Sequence, residues 1–146
     1  MKILILNGPN LNILGNRDKN HYGIKSLDEI NAELENHAQK YKVELLFFQS
    51  NHEGELIDFL QKESKHADGV LINPGALTHY GYSLRDALVD TDLPIVEVHL
   101  SNIKKREEFR KTDVLDGIVI KRIMGLKEKG YIIGLEKLVE HIRKTS

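Results

Sequence analysis

The 146-residue chain contains no cysteine, which excludes disulfides, thiolate catalysis and cysteine-based zinc sites. It also lacks a dominant charge. The formal net charge is −1, so no overall field draws in nucleic acid or an anionic membrane surface. An acidic small molecule would have to be caught by local charges. No apolar run approaches the roughly 20 residues that a membrane helix needs. The opening stretch Met1-Lys2-Ile3-Leu4-Ile5-Leu6 imitates the core of a signal segment, but it runs into Asn7-Gly8-Pro9-Asn10 without small-residue cleavage chemistry. A first core strand is expected there instead. Neither His-x-His nor His-Glu-x-x-His occurs, so metal ligation has no motif to rest on. Together these absences lead us to expect a cytoplasmic protein with no nucleic-acid partner, no membrane association and no bound metal.

What is present is ordinary for a globular protein: 40% apolar and 29% charged residues. The length suits one domain with one substantial core, and residues 1–146 are read as a single catalytic domain. Short apolar runs alternate with amphipathic stretches. The runs Lys2–Leu6, Val43–Phe48, Gly69–Ile72, Ile95–Val98 and Ile118–Ile123 are candidate strands, several apolar enough to be covered on both faces. Between them, Ser26 with Glu29 makes a capping box ahead of Leu27, Ile30, Leu34 and Ala38. Ser50 with Glu53 repeats the pattern before Leu56, Ile57 and Leu60, and Ser83 with Asp86 before Ala87 and Leu88, with Pro94 beyond. Leu135, Leu138, Val139 and Ile142 form one stripe of a last helix. Five strand–helix alternations predict an α/β, flavodoxin-like three-layer sandwich with a five-stranded parallel sheet.

In such sheets ligands bind beyond the carboxyl ends of the strands. The residues following the first four runs are Asn7-Gly8-Pro9-Asn10, Gln49-Ser50-Asn51-His52, Asn73-Pro74-Gly75-Ala76 and His99-Leu100-Ser101-Asn102. One polar strand end is explained by turn geometry. Four on one edge point to a small-molecule site.

The same segments carry a resemblance. Asn7-Gly8-Pro9-Asn10-Leu11-Asn12 with Tyr22-Gly23, Gln49-Ser50-Asn51, Asn73-Pro74-Gly75-Ala76 with Thr78-His79, Leu84-Arg85-Asp86-Ala87, Glu97-Val98-His99-Leu100-Ser101-Asn102-Ile103, Arg106-Glu107 with Phe109-Arg110, and Gly130-Tyr131 resemble the motifs of the type II 3-dehydroquinate dehydratases, in order and in approximate spacing. The resemblance implies a lyase that dehydrates 3-dehydroquinate to 3-dehydroshikimate by anti elimination through an enolate, without metal or organic cofactor. It also implies a homo-dodecamer, a tetramer of trimers.

By that resemblance Tyr22 is the base. Tyrosine ordinarily titrates near 10, and bringing it to about 7 means stabilising the phenolate by roughly 4 kcal/mol. A nearby cation favours the anion, and the match assigns that work to Arg17. His99 resembles the acid that protonates the departing hydroxyl. Glu97, two residues back and so on the same face of a strand, would orient it. Asn10 resembles the residue holding a water against the enolate. Asn73 and the backbone N–H groups of Leu100 and Ser101 match the carboxylate-binding set, and Gly75 is counted with the substrate-binding residues. His79 and Arg110 match residues holding ring hydroxyls, and Asp86 matches one that reaches a neighbouring subunit's site. Read without the family, Tyr22 is a loop tyrosine packing its ring and Asp86 a first-turn helix acid, while His99 reads equally well as an acid or as a core histidine at a strand end.

Departures from the family pattern fall at Asp18-Lys19 after the loop arginine, at Tyr80-Gly81-Tyr82, at Gly125-Leu126-Lys127, and at Lys111-Thr112-Asp113, where a histidine–serine pair is common. A nucleotide or flavin binder would need a phosphate cradle. Gly125 and Gly130 have that spacing, but Tyr131-Ile132 follows where Lys-Ser/Thr is required. A signalling receiver would need an aspartate where Asn73 stands, and a Schiff-base enzyme a lysine among the strand ends.

Overall fold

The central strands are apolar nearly throughout, and burial follows: in the computed structural model, which describes residues 1–146, every residue of β3 (Gly69–Asn73) and β4 (Ile95–His99) is buried, as is every residue of β1 (Lys2–Asn7) after Lys2. With β2 (Glu44–Gln49) and β5 (Lys121–Met124) they form one sheet in the order β2-β1-β3-β4-β5. All pairings are parallel. This is the flavodoxin-like order, as expected.

Side chains alternate across a strand, so each face builds its own core. Ile3, Ile5, Leu71, Val96 and Val98 pack with Ile30 and Leu34 of α2 (Leu27–Tyr41) and with Leu135 and Leu138 of α5 (Lys129–Thr145). Leu4, Leu6, Val70, Ile72 and Ile95 pack with Leu56 and Leu60 of α3 (Glu53–Glu63) and with Leu84 and Leu88 of α4 (Tyr82–Asp90). Each fully buried leucine or isoleucine stabilises the fold by roughly 2 kcal/mol. No helix is long and apolar enough to cross a membrane.

Helix starts follow the sequence only in part. Ser26 does cap α2, accepting from the Glu29 N–H at 3.2 Å. Ser50 does not cap α3. It accepts from the His52 N–H at 2.9 Å and donates to Glu55, and His52 is the first residue outside the helix. Ser83 lies inside α4, whose amide at Leu84 is satisfied by the Glu53 carboxylate at 3.2 Å. An acid from the neighbouring helix does there what local spacing had suggested for a serine.

The fifth strand begins at Lys121, three residues later than Ile118. Gly117 has φ +85° and the Ile118 N–H returns to the Leu115 carbonyl at 3.2 Å, so residues 114–118 form a turn. Ile118 and Val119 pack against the α3–α4 core instead of extending the sheet.

The loops after β1 and β3 interlock with no spare room. A Cβ on Gly8 would stand 2.2 Å from the Pro74 carbonyl oxygen, and one on Gly75, at φ +61°, would stand 2.9 Å from that of Pro9. Gly8→Ala is expected to cost about 2–3 kcal/mol through overpacking. Gly54→Ala, which meets nothing within 4 Å, should be neutral or stabilising. Urea denaturation of the two variants checks the contrast.

Candidate active site

The loop after β1 turns sharply at Asn10, which is left-handed at φ 69°. Asn10 N–H donates to Asn51 Oδ1 at 2.9 Å, and Gln49 donates to the same oxygen at 3.2 Å and to the Gly8 carbonyl at 3.2 Å. The polar end of β2 therefore braces the neighbouring loop instead of lining the site, contrary to the picture of four equivalent strand ends. Beyond Gly15 a single helical turn, α1 (Lys19–Tyr22), is capped by Asp18, whose carboxylate accepts from the Asn20 N–H at 2.9 Å. The Asp18 departure thus has a structural use: it starts the turn that carries Tyr22.

A cleft of about 100 Å³ opens over the carboxyl ends of β1, β3 and β4. Asn10, Arg17 and Tyr22 line it from the first loop, Asn73, Gly75 and His79 from the second, and His99, Leu100 and Ser101 from the end of β4. Arg106 and Arg110, beyond β4, complete it. Three guanidinium groups and no carboxylate line the cleft. That is the local trap for an anion which the near-zero net charge required.

Tyr22 is half-buried, with cations on two sides. The Arg17 guanidinium carbon lies 3.8 Å above the ring centroid, a cation–π contact. Arg106 Nη1 donates to the Tyr22 hydroxyl at 2.7 Å and to Ser101 Oγ at 3.3 Å. The cation on the phenol oxygen is therefore Arg106, which sequence reasoning had placed in a motif without giving it a task. Nothing local signals that contact, since it joins residues 84 apart.

His99 is 4% exposed and Glu97 not at all. His99 Nε2 stands 2.6 Å from Glu97 Oε1. An ionised carboxylate only accepts, so Nε2 carries a proton, and Nδ1 is the nitrogen left without a protein partner. Burial alone would push the Glu97 carboxyl up; the hydrogen bond and charge of His99, with Asp113 and Thr78, hold it well below the usual carboxylate range instead. Arg122 Nε donates to Glu97 Oε2 at 2.8 Å and contacts Asp113 Oδ2 at 2.7 Å. Glu97, His99 and Asp113 could present three ligand atoms within 4.8 Å of one another, but the guanidinium already occupies the cation's place beside both carboxylates.

Asn73 is tied inward. Its amide Nδ2 donates to the Tyr131 hydroxyl at 2.9 Å, which donates to Asn7 Oδ1 at 2.6 Å, and Gly75 N–H donates to Asn73 Oδ1 at 3.1 Å. Burial pushes the Tyr131 phenol up, so this hydroxyl keeps its proton. His79 Nδ1 lies 2.7 Å from the Thr112 carbonyl and must be the donor there, leaving Nε2 free. Burial pushes its pKa down, against the pull of that carbonyl. Asp86 is exposed on α4 and outside this cleft. Tyr80 and Tyr82 are also exposed, 59% and 66%, and do not line the cleft. Of the other histidines, His37 pairs through Nε2 with Glu136 at 2.8 Å.

The sequence profile described as Dehydroquinase class II matches residues 1–139. The chain belongs to the class II dehydroquinase family. It is 50% identical over 145 residues to the 3-dehydroquinate dehydratase of Halothermothrix orenii, covering 99% of this chain and 98% of that one. The 3-dehydroquinate dehydratase of Roseiflexus castenholzii is 55% identical over 139 residues, 95% of this chain and 88% of the relative. The fold is equally similar to the crystal structure of the type II dehydroquinase of Butyrivibrio crossotus, at TM-score 0.91 and 43% identity over 94% of this chain and 97% of that one. The dehydroquinase match takes in every residue that lines the cleft.

The bridge from Asn7 through Tyr131 to Asn73 fixes the floor of the cleft. Tyr131→Phe keeps the ring but deprives Asn73 Nδ2 and Asn7 Oδ1, both buried, of their shared partner, and is expected to cost about 2 kcal/mol, measured by urea denaturation.

Proposed function

We propose that the cleft carries out the anti elimination of water from 3-dehydroquinate through an enolate, with Tyr22 as base and His99 as acid. The overall reaction is that of the family: an α/β hydro-lyase that dehydrates 3-dehydroquinate in the shikimate pathway. The finer reading rests on one observation. A phenol oxygen held by a guanidinium faces the same small cleft as an imidazole backed by a fully buried carboxylate.

In this reading the Tyr22 phenolate takes the proton from the carbon beside the ketone, and the C–H electron pair moves into an enolate. Asn10 holds a water against the enolate oxygen, a neutral way of stabilising an oxyanion. The enolate then re-forms the ketone, its electrons expel the hydroxyl, and the hydroxyl takes a proton from His99 and leaves as water. Tyr22 ends protonated and His99 neutral, and one proton returned from phenol to imidazole resets the pair. Arg17 and Arg106 favour the phenolate by their charge. Glu97 orients His99 and favours its imidazolium. Asn73, through the second hydrogen of its amide, and the backbone N–H groups of Leu100 and Ser101 bind the substrate carboxylate; Gly75 lines the pocket against the substrate, and His79 and Arg110 hold ring hydroxyls. No step calls for a metal or an organic cofactor.

Residues 1–146 act as one catalytic domain in this reading, in the cytoplasm and within a homo-dodecamer built from trimers. Asp86 then serves a neighbouring subunit's cleft. Its exposure on α4, beside the exposed Tyr82 and Val89, suits a helix that meets another copy.

Tyr22→Phe should abolish turnover while leaving substrate binding nearly intact. His99→Ala should still exchange the C2 proton of the substrate for deuterium while losing water expulsion. Wild-type turnover in the first variant would remove Tyr22 as base, and absent exchange in the second would end the division of roles. Arg106→Met and Arg17→Met should each move the acidic limb of the kcat–pH profile upward. The larger shift is expected for Arg106, which touches the oxygen itself; an unmoved limb in both would dismiss the electrostatic account.

A further inference from the structure

Behind His99 lies a group of charges that the reaction, as written above, does not use. Asp113 is 9% exposed. Its Oδ1 accepts from the Leu115 N–H at 2.8 Å and lies 3.2 Å from Thr78 Oγ1. Its Oδ2 is buried without an aligned hydrogen bond, although Arg122 Nε stands 2.7 Å away. Arg122 in turn donates to Glu97 at 2.8 Å and contacts Asp116, which is largely exposed, at 2.6 Å. Thr78 also donates to Glu97.

A threonine hydroxyl has one hydrogen. If Thr78 gives it to Glu97, its contact with Asp113 is a hydrogen bond only when Asp113 carries a proton. Charge counting agrees. With Glu97 ionised, Arg122 charged and the solvent-screened Asp116 set apart, the remaining four groups are neutral in two ways: Asp113 protonated and His99 neutral, or Asp113 ionised and His99 an imidazolium. The two protonation states are therefore linked, although the residues do not touch.

We propose that Asp113, held by Arg122, is a positioning residue for the His99 acid, setting through Glu97 and Thr78 how firmly the imidazole holds its proton. The inference rests on His99 being the acid. Burial, then the close Glu97 carboxylate, push the Asp113 carboxyl above the usual carboxylate range, so it ionises as the solution becomes less acidic. An ionised Asp113 adds negative charge near His99 and keeps the acid loaded further into the alkaline range. The groups facing this pair are Glu97 on β4, Arg122 on β5, Asp116 on the same turn, and His79, Arg106 and Arg110 on the cleft side. The three cleft-side groups act on His99 with or without Asp113. Asp113, which lies in the Lys111-Thr112-Asp113 departure, thus gains a partner in Arg122, a charged residue within a strand.

The test is a pH titration of the His99 imidazole by ¹⁵N NMR, alongside kcat–pH profiles. Asp113→Asn, locked neutral, should lower the His99 midpoint by about one unit, and Arg122→Met, stripped of its cation, should raise it by a similar amount. The basic limb of kcat should follow each shift while the acidic limb stays. Opposite shifts cannot come from general damage to the fold. Midpoints that move together, or not at all, overturn the proposal. Should either variant fail to fold, the ¹³C titration of the Asp113 carboxyl in the unaltered protein decides. A step well above the ordinary aspartate value near 3.9, with a matching inflection at His99, supports the linkage; one step in the ordinary range refutes it. His99→Ala separates the two readings. If that variant still expels hydroxyl, the acid assignment falls whatever the titrations show; if it stalls while the titrations stay unmoved, only the present inference falls.

Discussion

The whole active edge of the molecule is organised around one unfavourable burial. Glu97 has no exposure at all, in the interior of a parallel sheet covered by helices on both faces. A carboxylate removed from water is costly unless charge and hydrogen bonds compensate it. Here His99, Thr78 and Arg122 supply the compensation, and each is thereby fixed in place. The rigidity of the imidazole is a consequence of neutralising its neighbour.

A second consequence follows for the cleft itself. Because the negative charges sit behind His99 and are answered by Arg122, none faces the opening, which is lined by Arg17, Arg106 and Arg110. The protein thus presents a positive trap to an acidic small molecule while its overall charge is near zero. The separation is local: Glu97 and Asp113 lie behind His99 with Arg122 between them, while Arg17, Arg106 and Arg110 line the opening, Arg110 paired with Glu107, which does not line it. Tyr22 lies between two of these arginines, with one cation on its ring and another on its oxygen.

The loops that carry these groups are held by contacts of unusual closeness. Gly8 against Pro74 and Gly75 against Pro9 leave no space for a side chain, and the hydroxyl of Tyr131, reaching up from α5, ties the ends of β1 and β3 together. Tight loops over a well-packed sheet are what allow catalytic groups to be held to fractions of an ångström. The floor is therefore set by packing and hydrogen bonds, and the walls by charge.

Much of this was legible in the chain. Apolar runs of strand length, the capping box at Ser26 and the stripe through Leu135, Leu138 and Ile142 specified the sandwich, because burial and capping are local properties that leave a periodic trace. The polar strand ends marked the edge where the cleft opens, and the motif match named Tyr22 and His99. What local pattern could not show was partnership across the fold. That Glu53 caps α4, that Arg106 and not Arg17 meets the phenol oxygen, that β2 braces its neighbour, and that Arg122 reaches inward to Glu97 are all contacts between residues far apart in sequence. Periodicity decides which side of an element is buried, but only the packed tertiary structure decides which charge comes to rest beside which.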